Sequence, residues 1–355
     1  MIKPETFTLE HIKWIQKFYK VDPELAQRAI FALGLVEALT KAGLKFIFKG
    51  GSSLMLLFDI PKRLSTDVDI LVEKNCDIDS FIQKVATIFP FTSVSESIRT
   101  TNMSISKKHF RFTYVSPIKN KEITVLLDVL FADNHYGKTV SMPLRSCFLI
   151  TDGDDCRVRI PTAESILGDK LCAFAPHTTG IRYNNESFSN DKRLEVIKQF
   201  YDVVSLFDIA HNFKDIKDTY FEIAKEEIAY RNLAITPFDS LKDSFETSLS
   251  LLSWGKINKD DYPKLVEGVN RIKVHIVYRD FSMKSTALYA AKVMLLAACL
   301  INNIDVFKLK IENKEPLKEP PYNQINFILK NKDQEAYNIA VTAIEIMNSS
   351  KQSNN

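Results

Sequence analysis

Arg63-Leu64-Ser65-Thr66-Asp67-Val68-Asp69-Ile70-Leu71-Val72 alternates polar and apolar residues from Thr66 onward. A period of two is the signature of a strand, in which residues two apart share a face. Asp67 and Asp69 therefore aim the same way, while Val68, Ile70 and Val72 point into a core. Two like charges about 4 Å apart repel by about 4 kcal/mol at an effective dielectric near 20, so a fold that keeps both ionised supplies a cation. Mg²⁺ suits the pair, because it takes a few carboxylates together with substrate phosphates and water. The competing reading is two acids at a solvated strand end.

Upstream, residues 45–48 form a short apolar run that stops at Lys49-Gly50-Gly51-Ser52-Ser53, and Leu54-Met55-Leu56-Leu57-Phe58 follows. This reads as strand, tight turn and helix start, a place where free backbone N–H groups and hydroxyls hold a phosphate. A glycine pair before a serine is by itself only a turn; the acids that follow, with Lys49, Lys62 and Arg63, give it a possible ligand. Neither the P-loop nor the dinucleotide-binding glycine pattern is present. Downstream, one acid interrupts Val125-Leu126-Leu127-Asp128-Val129-Leu130-Phe131. Such an acid is costly unless paired or metal-bound, although a solvent-facing strand end also accounts for it.

Further outward, helical spacing covers residues 23–42 and 79–89, and strands are predicted at 94–98, 109–115 and 123–131, with a short one at 157–160. From about residue 163 onward almost every segment has helical period. The polar stretch 177–192 reads as a mobile loop, and Lys107-Lys108-His109 as a solvated turn, with contact to an RNA backbone as the alternative. The charge balance of 47 Lys plus Arg against 44 Asp plus Glu leaves only +3, which excludes a strongly basic nucleic-acid coat and favours local basic patches. Five scattered cysteines without a CxxC pair exclude a disulfide framework or zinc knuckle. No apolar leader follows Met1, and the most apolar run, 287–301, is short and broken by Lys292. A cytoplasmic chain without signal peptide or membrane span is expected.

Lys49-Gly50-Gly51-Ser52-Ser53-Leu54, followed by Arg63-x-Ser65-x-Asp67-x-Asp69, resembles the signature of the AbiEii-type nucleotidyltransferases. These are toxin partners of type IV toxin–antitoxin and abortive-infection systems, within the DNA polymerase β-like superfamily. The resemblance spans about residues 25–210. It implies that the turn (Gly50, Gly51, Ser52), with Arg63 and Ser65, holds a nucleoside triphosphate. It further implies that Asp67 and Asp69 bind Mg²⁺, with Mn²⁺ as an alternative, and that Asp128 completes the metal site. A downstream functional Lys and Asp fall on Lys170, in Glu164-Ser165-Ile166-Leu167-Gly168-Asp169-Lys170, and on Asp202, in Lys198-Gln199-Phe200-Tyr201-Asp202. Two departures stand out: Gln199 occupies a position where the family's later motif carries an acid, and 14 residues separate Ser52 from Asp67.

The expected fold is α+β: a nucleotidyltransferase-like mixed sheet of about five strands flanked by helices, followed by a mostly helical C-terminal domain. The expected boundaries are 1–160 for the catalytic domain, 161–348 for a helical domain completing the cleft, and 349–355 for a disordered tail. By resemblance the chain transfers a nucleotide to a hydroxyl acceptor, the 3′ end of tRNA, as a toxin with a cognate antitoxin in phage defence. A protein Ser, Thr or Tyr hydroxyl, or the chain itself, would use the same centre. A catalytically silent module that binds a nucleotide or a partner is the competing class.

Overall fold

A computed structural model describes residues 1–97, 107–185 and 188–352. The chain divides into two compact units, Met1–Thr162 with Val274–Asp280, and Ala163–Lys273 with Phe281–Asn355. The first is built on a mixed sheet and the second is almost wholly helical.

In the first unit, α1 (Leu9–Tyr19) and α2 (Pro23–Lys41) precede β1 (Ile47–Lys49), the one-turn α3 (Gly50–Ser53) and β2 (Val68–Val72). There follow α4 (Ile78–Val85), β3 (Phe91–Glu96), β4 (Lys107–Val115), β5 (Glu122–Phe131), β6 (Thr139–Pro143) and β7 (Arg157–Pro161). The sheet order is β3-β4-β5-β2-β1-β7-β6. Strand β2 runs parallel to β5 and β1 parallel to β7; the other neighbours are antiparallel. Seven strands stand where the sequence pattern predicts about five. The short strand expected at 157–160 is present as β7; the strand that no pattern indicated is β6, at the edge, which ends in Pro143 and pairs only with β7, a place where proline is tolerated and alternation is weak. Of the strand predicted at 94–98, Ile98 lies outside the described residues.

Helix α2 starts where the Asp22 carboxylate accepts the Leu25 N–H at 2.9 Å, with Pro23 in the first turn. Its Ile30, Leu33 and Val36 are fully buried in one core with Phe48, Ile70, Leu127 and Phe112. Each large apolar side chain fully buried contributes about 1.5–3 kcal/mol. Exchanging the two faces of a strand would forfeit several such contributions at once, so this packing decides which face of each strand is inside. The alternate residues, Lys49, Asp69, His109 and Asp128, are thereby committed to the opposite face.

The second unit contains α5 (Ala163–Ala173), the hairpin β8 (Asn184–Asn185) and β9 (Phe188–Asp191), α6 (Arg193–Phe207), α7 (Phe213–Tyr230) and α8 (Pro237–Leu252). It continues with α9 (Tyr262–Ile272), α10 (Ser285–Asn302), α11 (Gln324–Leu329) and α12 (Gln334–Gln352). Helix α5 packs on α6 and α7, and α10 on α8 and α12. By length and composition α10 is apolar enough to cross a membrane, but 67% of it is buried, and its alanines 290, 291, 297 and 298 sit in the unit's core. Helix α12 runs on to Gln352, four residues into the segment predicted to be disordered; residues 353–355 lie outside the described residues.

The stretch 177–192, predicted to be mobile, is tied down at its start. The His177 N–H and the Thr178 hydroxyl each donate to Asp243 at 2.8 Å, and Arg231 donates to the carbonyls of Thr178 and Gly180. Its polarity is answered by Arg231, just past α7, and by Asp243 of α8, which no local pattern reveals. The His177 ring also lies 2.6 Å from Asp261. That hydrogen bond and the carboxylate's charge outweigh partial burial and raise the imidazole pKa. Burial pushes Asp261 upward, but its bonds to His177 and Lys264 prevail and hold it below the usual carboxylate value. The pair's stabilisation is therefore full between the free carboxylate pKa near 4 and the free imidazole pKa near 6.5. It fades as pH rises through the raised His177 value, and again as pH falls through the lowered Asp261 value. With His177 half exposed, His177→Ala is expected to cost on the order of 1 kcal/mol at pH 5.5 and clearly less at pH 8.5. Melting of both proteins at the two pH values checks this; a constant difference would contradict it.

Candidate active site

Four neighbouring strands carry one row of side chains across the open face of the first unit's sheet. Lys49 on β1 is in register with Asp69 on β2, Asp69 with Asp128 on β5, and Asp128 with His109 on β4. Asp67 lies just ahead of β2 and is exposed. The row exists because each member alternates with a buried neighbour: Phe48, Val68 and Ile70, Leu127 and Val129, Phe110.

The glycine turn is fitted against this row. Gly50 has φ +74°, a region that favours glycine, and a Cβ there would collide with the Asp69 carboxylate. A Cβ on Gly51 would come within 2.6 Å of Arg63 Nη2 and 2.8 Å of Ser65 Oγ. The turn thus brings Gly50 to Asp69, and Gly51 to Arg63 and Ser65. The buried Ser52 hydroxyl donates to the Asp67 carbonyl, which ties the turn to the carboxylate strand, and Ser53 Oγ donates to the Gly50 carbonyl at 2.8 Å. Ser52 Oγ is therefore engaged within the chain, which leaves backbone N–H groups as the turn's donors to a ligand.

The long spacer between Ser52 and Asp67 is held from far along the chain. Segment Val274–Asp280 returns to the first unit after α9. There the Leu64 N–H donates to the His275 carbonyl at 2.8 Å, the Val277 N–H donates to the Lys62 carbonyl at 3.1 Å, and Arg63 bridges Ile276. Arg63 is 6% exposed.

His109 is the residue that sequence reasoning passed over. It lies in β4, in keeping with the strand expected at 109–115 and not with a solvated turn at 107–109, and its Nδ1 lies 2.6 Å from Asp128 Oδ1, the carboxylate accepting. One signal was available: His109 and Asp128 each interrupt a strand pattern at an outward position. The register that joins them was not. His109 fixes one oxygen of Asp128 and leaves Oδ2 for another ligand, an arrangement that orients metal-binding carboxylates. Replacing His109 by Ala is expected to lower kcat about ten- to a hundredfold with the nucleotide KM unchanged. His109→Asn, which keeps a donor near the Nδ1 position, should recover much of the loss. Equal losses in both variants would contradict a positioning role.

The donor chemistry fits Mg²⁺: hard carboxylate oxygens on one face beside a glycine turn. Among the described residues no three acidic, His or Cys side chains converge as a ready-made cage for one ion. The ion's remaining ligands would therefore come from triphosphate and water, as is usual for Mg²⁺. Beside Asp67 opens a groove of about 470 Å³ lined by Arg28, Thr66, Arg111 and Thr124. A larger cavity, about 710 Å³, is lined by Thr40, Leu44, Val72 and Arg159 at the other ends of β1 and β2. Volume therefore does not single out the site; the row of charged residues in register across four strands does.

Lys170 and Asp202 belong to the second unit, on α5 and α6. Lys170 Nζ lies 3.3 Å from Asp202 Oδ2 and 3.0 Å from Gln199 Oε1, with the two charged side chains 9% and 2% exposed. Gln199, the departure from the family's later motif, thus supplies a neutral acceptor to the same ammonium.

A mixed sheet whose glycine turn abuts paired carboxylates defines a nucleotidyltransferase-like protein. The profile of the family described as "Nucleotidyl transferase AbiEii toxin, Type IV TA system" matches residues 35–271, and the chain belongs to that family. No curated protein matches the sequence. Among solved structures, the chain is similar to JHP933 from Helicobacter pylori, at 14% identity and TM-score 0.44 over 78% of this chain and 94% of that one. It is also similar to an antigenic nucleotidyltransferase-like protein from Paracoccidioides brasiliensis, at 15% identity and TM-score 0.37 over 61% and 92%.

Proposed function

We propose that this member of the toxin family transfers a nucleoside monophosphate from an NTP to the 3′-terminal hydroxyl of a tRNA, with Mg²⁺ and with a cognate antitoxin as its partner in a cytoplasmic abortive-infection system. The observation that carries the reading is the register of Asp69 with Asp128, both facing outward beside the glycine turn. In the reaction the acceptor oxygen bonds to the α-phosphorus, the bond from that phosphorus to the bridging oxygen breaks, and pyrophosphate leaves. Asp67 and Asp69 would hold Mg²⁺, and Asp128, with Oδ1 occupied by His109, would offer Oδ2. When bound, the ion lowers the pKa of the attacking hydroxyl and neutralises charge on the triphosphate. Gly50, Gly51, Ser52, Arg63 and Ser65 form the turn and its support on the β1 side, where the triphosphate and leaving pyrophosphate would sit. Lys170 and Asp202 are proposed as functional partners of the same reaction, and their pairing within the second unit is the first thing any such role must accommodate.

In-line displacement brings the acceptor from the side opposite the leaving group. Sheet order puts β5, and the groove with Arg28 and Arg111, on the other side of β2 from the glycine turn. Neither arginine is ion-paired among the described residues, and arginine matches phosphate oxygens in two-pronged geometry. That chemistry supports a nucleic-acid acceptor over a protein hydroxyl. In a thermal melt with Mg²⁺, the preferred triphosphate at about 100 times its Kd should stabilise the native protein by about 2.7 kcal/mol. Pyrophosphate release should then require added tRNA. Release driven equally by protein acceptors would overturn the tRNA assignment, and absence of any shift with all four triphosphates would favour a silent binding module.

A further inference from the structure

Helix α1 carries an exposed aromatic ladder. His11, Trp14 and Phe18 follow at the three- and four-residue spacing that stacks side chains along one helix face. The His11 and Trp14 rings are 5.9 Å apart and inclined by 17°, and those of Trp14 and Phe18 are 5.3 Å apart and inclined by 15°. The ladder is anchored from below, since His11 Nε2 lies 2.8 Å from the Phe148 carbonyl and the buried Tyr19 ring stands edge-on to both Trp14 and Phe18. Trp14 is nonetheless 49% exposed and Phe18 56%. Lys13, Lys17 and Lys20 lie along the adjoining stripe, all exposed, and none is ion-paired or hydrogen-bonded through its side chain among the described residues. The one acid of the helix, Glu10, sits in its first turn, where the helix dipole favours it.

We infer that this face of α1 binds single-stranded nucleic acid, its bases stacking on Trp14 and Phe18 and its phosphates meeting Lys13, Lys17 and Lys20. Large exposed aromatics alone fit a protein partner as well. The lysines decide between the two: lysine is depleted at protein–protein interfaces, whereas unpaired lysines beside stacking rings are the makings of a strand-binding surface. The pre-stacked rings need little ordering on binding, so little rotamer entropy opposes it. With a net charge of only +3 over the whole chain, such a local patch is also where strand affinity has to come from. The inference goes beyond the proposed reaction and does not depend on it, because it concerns binding away from the carboxylate row.

The chain has two tryptophans, so in the full-length Trp254→Phe variant the emission reports on Trp14. Titration with a mixed-sequence oligoribonucleotide of about 12 nucleotides, within the span of known strand-binding sites, should quench that emission saturably. Phe18→Ala should weaken binding about tenfold, and Lys13→Ala, Lys17→Ala and Lys20→Ala together should reduce the slope of log K against log salt by about 2. Asp69→Ala should bind the strand unchanged, which separates failure here from failure of the proposed reaction. Absence of quenching, equal quenching by polyglutamate, or unaltered affinity and salt slope in the Phe18 and lysine variants would each overturn the inference. Equal quenching by polyglutamate would identify the face as a site for an acidic polypeptide.

Discussion

Asp69→Ala is expected to lower kcat for nucleotidyl transfer by at least about a thousandfold, on the order of 4 kcal/mol of transition-state stabilisation. Asp69 is the centre of the row: it lies between Lys49 and Asp128 in register, and Gly50 has no side chain in the space its carboxylate occupies. Removing it takes away an oxygen donor proposed to hold Mg²⁺ and opens a gap at the turn. Steady-state kinetics measure the loss, and a thermal melt on the same preparation shows that the variant is folded. Turnover within tenfold of the native protein would remove Asp69 from the reaction.

Lys170→Ala is expected to have the largest effect on stability, about 3–5 kcal/mol lost from the second unit. It leaves Asp202, 2% exposed, without its ammonium partner at 3.3 Å, and Gln199 without its donor. Breaking one half of a buried pair costs far more than replacing both halves with apolar groups. Lys170→Met with Asp202→Leu should therefore recover most of the lost stability in a denaturant titration that follows the second unit. The same double variant reports on mechanism. If transfer returns along with stability, the pair serves as scaffold. If stability returns and transfer does not, the charged pair takes part in the reaction. A single Lys170→Ala variant as stable as the native chain would contradict the buried-pair account.

The outward set of strand residues was legible because it follows from alternation alone. Asp67-Val68-Asp69 and Asp128 between Leu127 and Val129 have a period of two, and the buried partners of that period lie in the core. The glycine turn was legible in outline. The reason for two glycines was not, since it lies in the approach of Asp69 to Gly50 and of Arg63 and Ser65 to Gly51, contacts between segments separated by the spacer. Pairing is where local reading ends. Nothing near His109 indicates that it faces Asp128, nothing near Lys62 or Leu64 indicates the returning segment at 275–277, and the polar loop after α5 gives no sign of Asp243 and Arg231. The seventh strand escaped for a related reason: a short edge strand closed by Pro143 has little pattern of its own. In physical terms, one-dimensional period fixes which face a side chain takes, while register fixes whom it meets.

The position of a radiolabel shows whether the Asp67, Asp69 and Asp128 face transfers the nucleotide itself. The protein is incubated with Mg²⁺, total tRNA and one triphosphate at a time, carrying the label at either the α- or the γ-phosphate. Nuclease-sensitive label is expected in the RNA from the α-labelled nucleotide alone, with γ-label released as pyrophosphate and nothing transferred by Asp69→Ala. Label passing from the γ-position to RNA or protein, or α-label transferred equally well by Asp69→Ala, would contradict it.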